Sequence, residues 1–176
     1  MRCRRIASAS FSSASELIFN LKCLLLSGLL PFSAYSQTFN GIGGGVPDAG
    51  PPVDFTVSVS GLPISIDTAV FGLEQICVDI THTYDADLTL WLIAPDGTQI
   101  TLASGVGGGD DNFTGTCFNG NAANAIAQGI APFTGQFRST DQLGLVNNGQ
   151  DPNGIWILRI QDTWAVDVGT LNSFSI

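Results

Sequence analysis

The sequence holds one histidine, His82, and that limits the catalysis it can support. A Ser-His-Asp hydrolase needs a histidine held against a nucleophile and oriented by a carboxylate. His82 ends the run Ile76-Cys77-Val78-Asp79-Ile80-Thr81-His82, where it reads as a ring packed at a sheet corner with its nitrogens hydrogen-bonded. No Gly-x-Ser-x-Gly elbow presents a serine to it. Glycosidase chemistry has acids enough, 15 Asp+Glu, but nothing in their spacing sets two across a cleft. A zinc set fails too, with a single histidine and no Cys-x-x-Cys.

Calcium is the chemistry that the acidic loops suit. Ca²⁺ takes about six to eight oxygens, and Asp/Asn-rich loops beside glycines can wrap carboxylates and backbone carbonyls around it. Asp79, Asp85 and Asp87 flank one strand turn; Asp110, Asp111 and Asn112 follow a run of glycines; Asp162 and Asp167 fall in the last hairpin. The bland alternatives are a carboxylate bonded to loop amides at Asp87 and solvated loop acids at Asp110 and Asp111. No EF-hand spacing occurs.

The start of the chain reads as an export signal over residues 1–36. Arg2, Arg4 and Arg5 form a basic region, residues 23–30 an apolar one, and Ala34 and Ser36 place small residues before a cleavage point between Ser36 and Gln37. Asn20, Lys22 and Pro31 interrupt any membrane-spanning run, so no transmembrane segment is expected in the mature chain. Removal of this leader takes four of the six basic groups and one of the 15 acids, leaving Arg138 and Arg159 against 14 carboxylates, a net charge of −12. Neutralising phosphates requires Lys and Arg in patches, so nucleic acid and anionic lipid are poor partners and no nucleic acid is expected. Self-repulsion among so many carboxylates adds to the case for a bound divalent cation.

Cys3 and Cys23 leave with the leader, so Cys77 and Cys117 remain as an even pair in an oxidising compartment. Their disulfide would close about 40 residues and stabilise the fold by roughly 4 kcal/mol on the chain-entropy view. Two buried free thiols are the alternative.

These residues need a scaffold, and the chain supplies strands. Its 176 residues suffice for one domain, with 44% hydrophobic and 12% charged residues and 21 glycines. Residues 37–52, rich in Gly and Pro, read as a linker ahead of a domain over 53–176. Short alternating or apolar runs follow at 53–59, 73–81, 88–94, 99–103, 113–118, 155–160 and 171–176, with Pro95-Asp96-Gly97-Thr98 as a tight turn and one helical turn within 122–128. The 88–94 run is apolar enough for burial on both faces. The pattern is that of an all-β sandwich with no long helical period. Trp91 and Trp156 lie in apolar runs as core residues. Trp164, in Asp162-Thr163-Trp164-Ala165-Val166-Asp167, stands in a hairpin loop, either open to a partner or a sugar or folded into the core.

Read in order, Cys77-Val78-Asp79-Ile80-Thr81-His82-Thr83-Tyr84-Asp85-Ala86-Asp87-Leu88, Leu92-Ile93-Ala94-Pro95-Asp96-Gly97-Thr98 and Asn112-Phe113-Thr114-Gly115-Thr116-Cys117-Phe118 resemble the P domain, or P/Homo B domain. That module follows the catalytic domain in kexin- and furin-like subtilisin proteases. Ala131-Pro132-Phe133-Thr134-Gly135-Gln136-Phe137-Arg138, Asn153-Gly154-Ile155-Trp156-Ile157-Leu158-Arg159-Ile160-Gln161-Asp162 and Gly169-Thr170-Leu171-Asn172-Ser173-Phe174-Ser175-Ile176 continue the likeness, with Phe174 where the family more usually has Trp. The resemblance spans about residues 71–176. It implies a jelly-roll β-sandwich of about eight strands and a role accessory to serine-type proteolysis. No subtilisin-like domain precedes the module in this sequence, so endopeptidase activity is not carried over. The expectation is a secreted or cell-surface, non-catalytic protein that partners a subtilisin-like catalytic domain; the alternatives are a calcium-dependent adhesive or carbohydrate-binding module that partners a surface polymer, or a fragment of a larger surface protein.

Overall fold

A computed structural model describes residues 36–176, and the leader assigned to 1–36 lies outside the described residues but for Ser36. Ser36 and Gln37, the expected cleavage pair, are both exposed. Nine strands form: β1 (Asn40–Val46), β2 (Val53–Val59), β3 (Gln75–His82), β4 (Leu88–Ile93), β5 (Gln99–Ser104), β6 (Phe113–Asn119), β7 (Gly135–Phe137), β8 (Gly154–Asp162) and β9 (Gly169–Ser175). They make a five-stranded sheet, β1-β9-β3-β6-β7, and a four-stranded sheet, β2-β8-β4-β5, packed as a β-sandwich. All neighbours are antiparallel except β6 and β7. Among the described residues the only helical segments are 3-10 turns at Asp85–Asp87, Ile126–Gln128 and Leu143–Val146.

The period-two alternation places the core. Ile76, Val78 and Ile80 of β3 face inward from the larger sheet; Phe55, Val57 and Val59 of β2, Leu88, Leu90 and Leu92 of β4, and Trp156, Leu158 and Ile160 of β8 face them from the other. Trp156 is sealed in that row and donates its indole N–H to the Pro152 carbonyl at 2.9 Å. Trp91 is on the opposite face of β4 and only half-buried, so the 88–94 run is buried on one face, not two. The turn after β4 forms as read: Ala94 and Thr98 pair by a 2.9 Å backbone bond, and Gly97 takes φ +87°.

The expected linker over 37–52 contributes β1, a correction with a clear cause. Glycine-rich sequence argues against a strand on propensity. Here it pairs along β9 because side chains are excluded: a Cβ on Gly41 would collide with the Phe174 ring, and one on Gly43 with the Leu171 carbonyl. Cys77 and Cys117 face each other across β3 and β6, Cα atoms 4.0 Å apart, and are joined by a disulfide.

Candidate functional site

The chemistry-bearing side chains gather at the end of the sandwich where β3 and β8 finish. His82 continues the inward row of Ile76, Val78 and Ile80, and Asp162 continues that of Trp156, Leu158 and Ile160. Strand alternation therefore aims both into the space between the sheets, where each is buried. His82 Nε2 meets Asp162 Oδ2 at 3.3 Å. His82 Nδ1 accepts the Tyr84 backbone N–H at 3.1 Å, which fixes the ring proton on Nε2, pointing at the carboxylate. Gly169 closes over the ring, since a Cβ there would stand 2.5 Å from Cδ2. Both ring nitrogens are thus occupied and no serine or threonine hydroxyl is bonded to either, as the position of His82 at a sheet corner led one to expect.

The expected calcium ligands fall into different environments. Asp79 serves two bulges: Oδ1 accepts Asn172 Nδ2 at 2.8 Å and Oδ2 accepts the Gly115 N–H at 3.3 Å, on the two flanking strands where the register shifts. Asp162 gives Oδ2 to His82 and Oδ1 to the Trp164 N–H at 3.2 Å. Asp167 accepts the Thr83 hydroxyl at 2.9 Å. Asn112, at φ +74°, accepts the His82 backbone N–H through Oδ1 at 3.0 Å and so holds the acidic loop against β3. Asp87 is buried beside Asp162 and Asp167, and burial followed by those two charges raises its pKa.

Asp85 stands apart. It is fully buried in the 3-10 turn after β3, and neither carboxylate oxygen meets a hydrogen-bond donor. Its own N–H bonds the Asp110 carbonyl at 2.9 Å and the Ala86 N–H bonds the Gly108 carbonyl at 3.1 Å, so turn and loop 105–112 are stitched together by backbone. Gly107 is where they approach most closely: with φ +87°, a Cβ there would lie 2.9 Å from Asp85 Cβ and 3.0 Å from the Phe133 ring. Burial pushes the Asp85 carboxyl up to about 7, the nearby Asn112 amide and then His82 oppose this, and Asp111 and Asp110 add to it. On the outer side of the same loop lies an open concavity of about 470 Å³, lined by Gly109, Asp110, Asp111, Asn112, Ala131 and Pro132. Among the described residues no three His, Cys, Asp or Glu side chains stand together as a metal-ligand set.

Sequence reading named these acids without sorting them. Nothing in the spacing marks which carboxylates pair with protein donors, because the partners of Asp79 and Asp162 lie 93 and 80 residues away. Trp164 resolves to the exposed alternative at 70% accessibility, with Val166 and Val168 exposed beside it.

What these features define is a disulfide-braced β-sandwich module with a buried His82–Asp162 pair at one end. The chain belongs to the proprotein convertase P-domain family, which it matches over residues 74–176. It is 35% identical over 102 residues to leupeptin-inactivating enzyme 1 of Streptomyces exfoliatus, covering 58% of this chain and 17% of that protein. It is 27% identical over 156 residues to the transglutaminase-activating metalloprotease of Streptomyces mobaraensis, covering 82% and 16%. Among solved structures it is similar to the Aeromonas sobria serine protease in complex with its chaperone ORF2, with a TM-score of 0.46 and 17% identity over 88% of this chain and 28% of that one. The chain therefore spans about a sixth of the length of the two Streptomyces proteins.

Proposed function

We propose that this chain is an exported, non-catalytic P-domain module that packs against and stabilises a serine-protease catalytic domain. The observation that carries the reading is the state of His82. The one histidine of the sequence is walled in by Gly169, Asp162 and the Tyr84 amide, where it can receive no proton from a nucleophile. Membership in a family tied to proteases supplies the association with proteolysis. The disulfide supports export, since such bonds persist in oxidising compartments.

A surface for the partner is available in the β8–β9 loop. Trp164, Val166 and Val168 are 70%, 87% and 62% exposed, and aromatic anchors of this kind carry much of an interface's binding energy. The same loop favours a second reading, in which the ring stacks on a surface polysaccharide.

Three kinds of measurement test these readings. The purified protein should neither hydrolyse casein nor be labelled by a fluorophosphonate serine-hydrolase probe, and specific labelling would refute the non-catalytic assignment. Mixed with a subtilisin-like catalytic domain, it should lengthen that domain's half-life at elevated temperature, and Trp164→Ala should weaken the effect. Glycan-array binding that Trp164→Ala abolishes, with no effect on the protease, would replace the first reading by the second.

A further inference from the structure

Most buried polar groups in folded proteins are satisfied, and each exception calls for a cause. Among the described residues Asp85 contributes the only such exceptions, both oxygens of one carboxylate. An isolated buried carboxylate is costly unless it is neutralised. Among the described residues no cationic side chain does this. Arg159 forks onto Asp54, and Arg138 gives Nη1 to the Ala122 and Ala123 carbonyls at 2.6 Å. The His82 ring spends Nε2 on Asp162. Asp110 and Asp111 are exposed on the loop that covers Asp85 and add negative charge near it, and neither donates to it.

We propose that Asp85 is the anchoring ligand of a calcium ion held between the 3-10 turn after β3 and loop 105–112, with backbone carbonyls of that loop as further oxygens and the nearby charges of Asp110 and Asp111 drawing the ion in. The donor set is all oxygen, which suits a hard cation and not zinc or copper. A carboxylate with both oxygens free can bind in bidentate fashion, and glycines at 107 and 108 with φ of +87° and +58° turn the loop tightly enough to present carbonyls to one point. A backbone held this irregularly suits the variable coordination of Ca²⁺ better than the strict octahedron of Mg²⁺. Of the other acids, Asp79 is taken by Asn172 and Gly115, and Asp162 by His82 and Trp164. The site thus draws on one buried carboxylate plus loop oxygens, and does not need a triad of acidic side chains. It is independent of the protease partner.

Thermal melts of the purified protein near neutral pH test this, comparing calcium with magnesium at matched ionic strength. Calcium should raise the wild-type midpoint by roughly 5–10 °C beyond magnesium at a hundredfold excess over Kd. Asp85→Asn should erase the calcium-specific rise, and without divalent ions it should melt at or above wild type, because it removes an uncompensated charge while keeping the shape. The tyrosine ring of Tyr84 packs over Gly109, so Tb³⁺ bound there should show sensitised luminescence that calcium competes away. Should Asp85→Asn fail to fold, the exposed pair Asp110→Asn/Asp111→Asn takes its place, with calcium affinity by Tb³⁺ competition expected to fall at least about threefold. Equal shifts with the two metals, a full calcium-specific shift in Asp85→Asn, or unchanged affinity in the loop double variant would overturn the site.

Discussion

His82 on β3 and Asp162 on β8 join the two sheets of the sandwich through a 3.3 Å contact from Nε2 to Oδ2, with both side chains fully buried. The pair bridges the two layers across the core. Removing one partner of such a pair strands the other in the core, which costs about 3–5 kcal/mol. His82→Ala should therefore lower unfolding free energy by that amount in urea titrations. Asp162→Asn keeps one acceptor oxygen but turns its amide NH2 toward either Nε2–H or the Trp164 N–H, and should cost about 1–3 kcal/mol. Equal losses from the two substitutions would show that the charge, not the hydrogen bond, matters.

The Cys77–Cys117 bridge links two central strands of the larger sheet. The Cys77→Ala/Cys117→Ala variant should lose about 2–5 kcal/mol while keeping its β-sheet circular dichroism. Titration of the unfolded, unreduced protein with a thiol reagent should find neither cysteine.

Asp54 and Arg159 sit opposite each other on β2 and β8 and pair in fork geometry, Nη2 to Oδ2 at 2.8 Å. The hydrogen bond from Arg159 holds the Asp54 carboxyl below its usual value. A depressed carboxyl stabilises the fold above the unfolded pKa of about 3.9, and loses that contribution as pH falls through the folded value. Both side chains are about a third exposed, at 35% and 37%, so screening limits the pair to at most about 1 kcal/mol. Asp54→Asn should cost no more than that, and the difference from wild type should shrink at acid pH and in high salt.

The glycines of β1 should differ sharply in tolerance. Gly43→Ala, whose Cβ meets the Leu171 carbonyl, should cost about 1–3 kcal/mol and accelerate amide exchange across β1. A Cβ on Gly45 meets nothing, so Gly45→Ala should stay within about 0.5 kcal/mol. Similar costs at both positions would mean that close approach does not decide where β1 needs glycine.

Seven of the nine strands were legible because burial on one face imposes alternation that survives in the residues: Ile76, Val78 and Ile80, or Trp156, Leu158 and Ile160. β1 was illegible because its reason for being a strand lies in Phe174 and Leu171, more than 120 residues later. β7 was missed for its three-residue length and its parallel pairing with β6. Of the candidate site, residue type named the acidic side chains Asp85, Asp110 and Asp111, but not that Asp85 is fully buried without a donor. That Asp79 and Asp162 carry protein hydrogen bonds depends on sheet register and inter-sheet contact, which no local spacing encodes.

Pairing of β1 with β9 brings Phe39 and Ile176 together, with reciprocal backbone bonds of 2.8 and 2.9 Å. Tension applied between those two residues would load the antiparallel ladder at its end, parting its hydrogen bonds one pair after another instead of all at once in shear. β1 should peel away at low force. The larger sheet beneath would keep its covalent tie between β3 and β6, so the module would yield first at a strand it can re-zip and only later at its core.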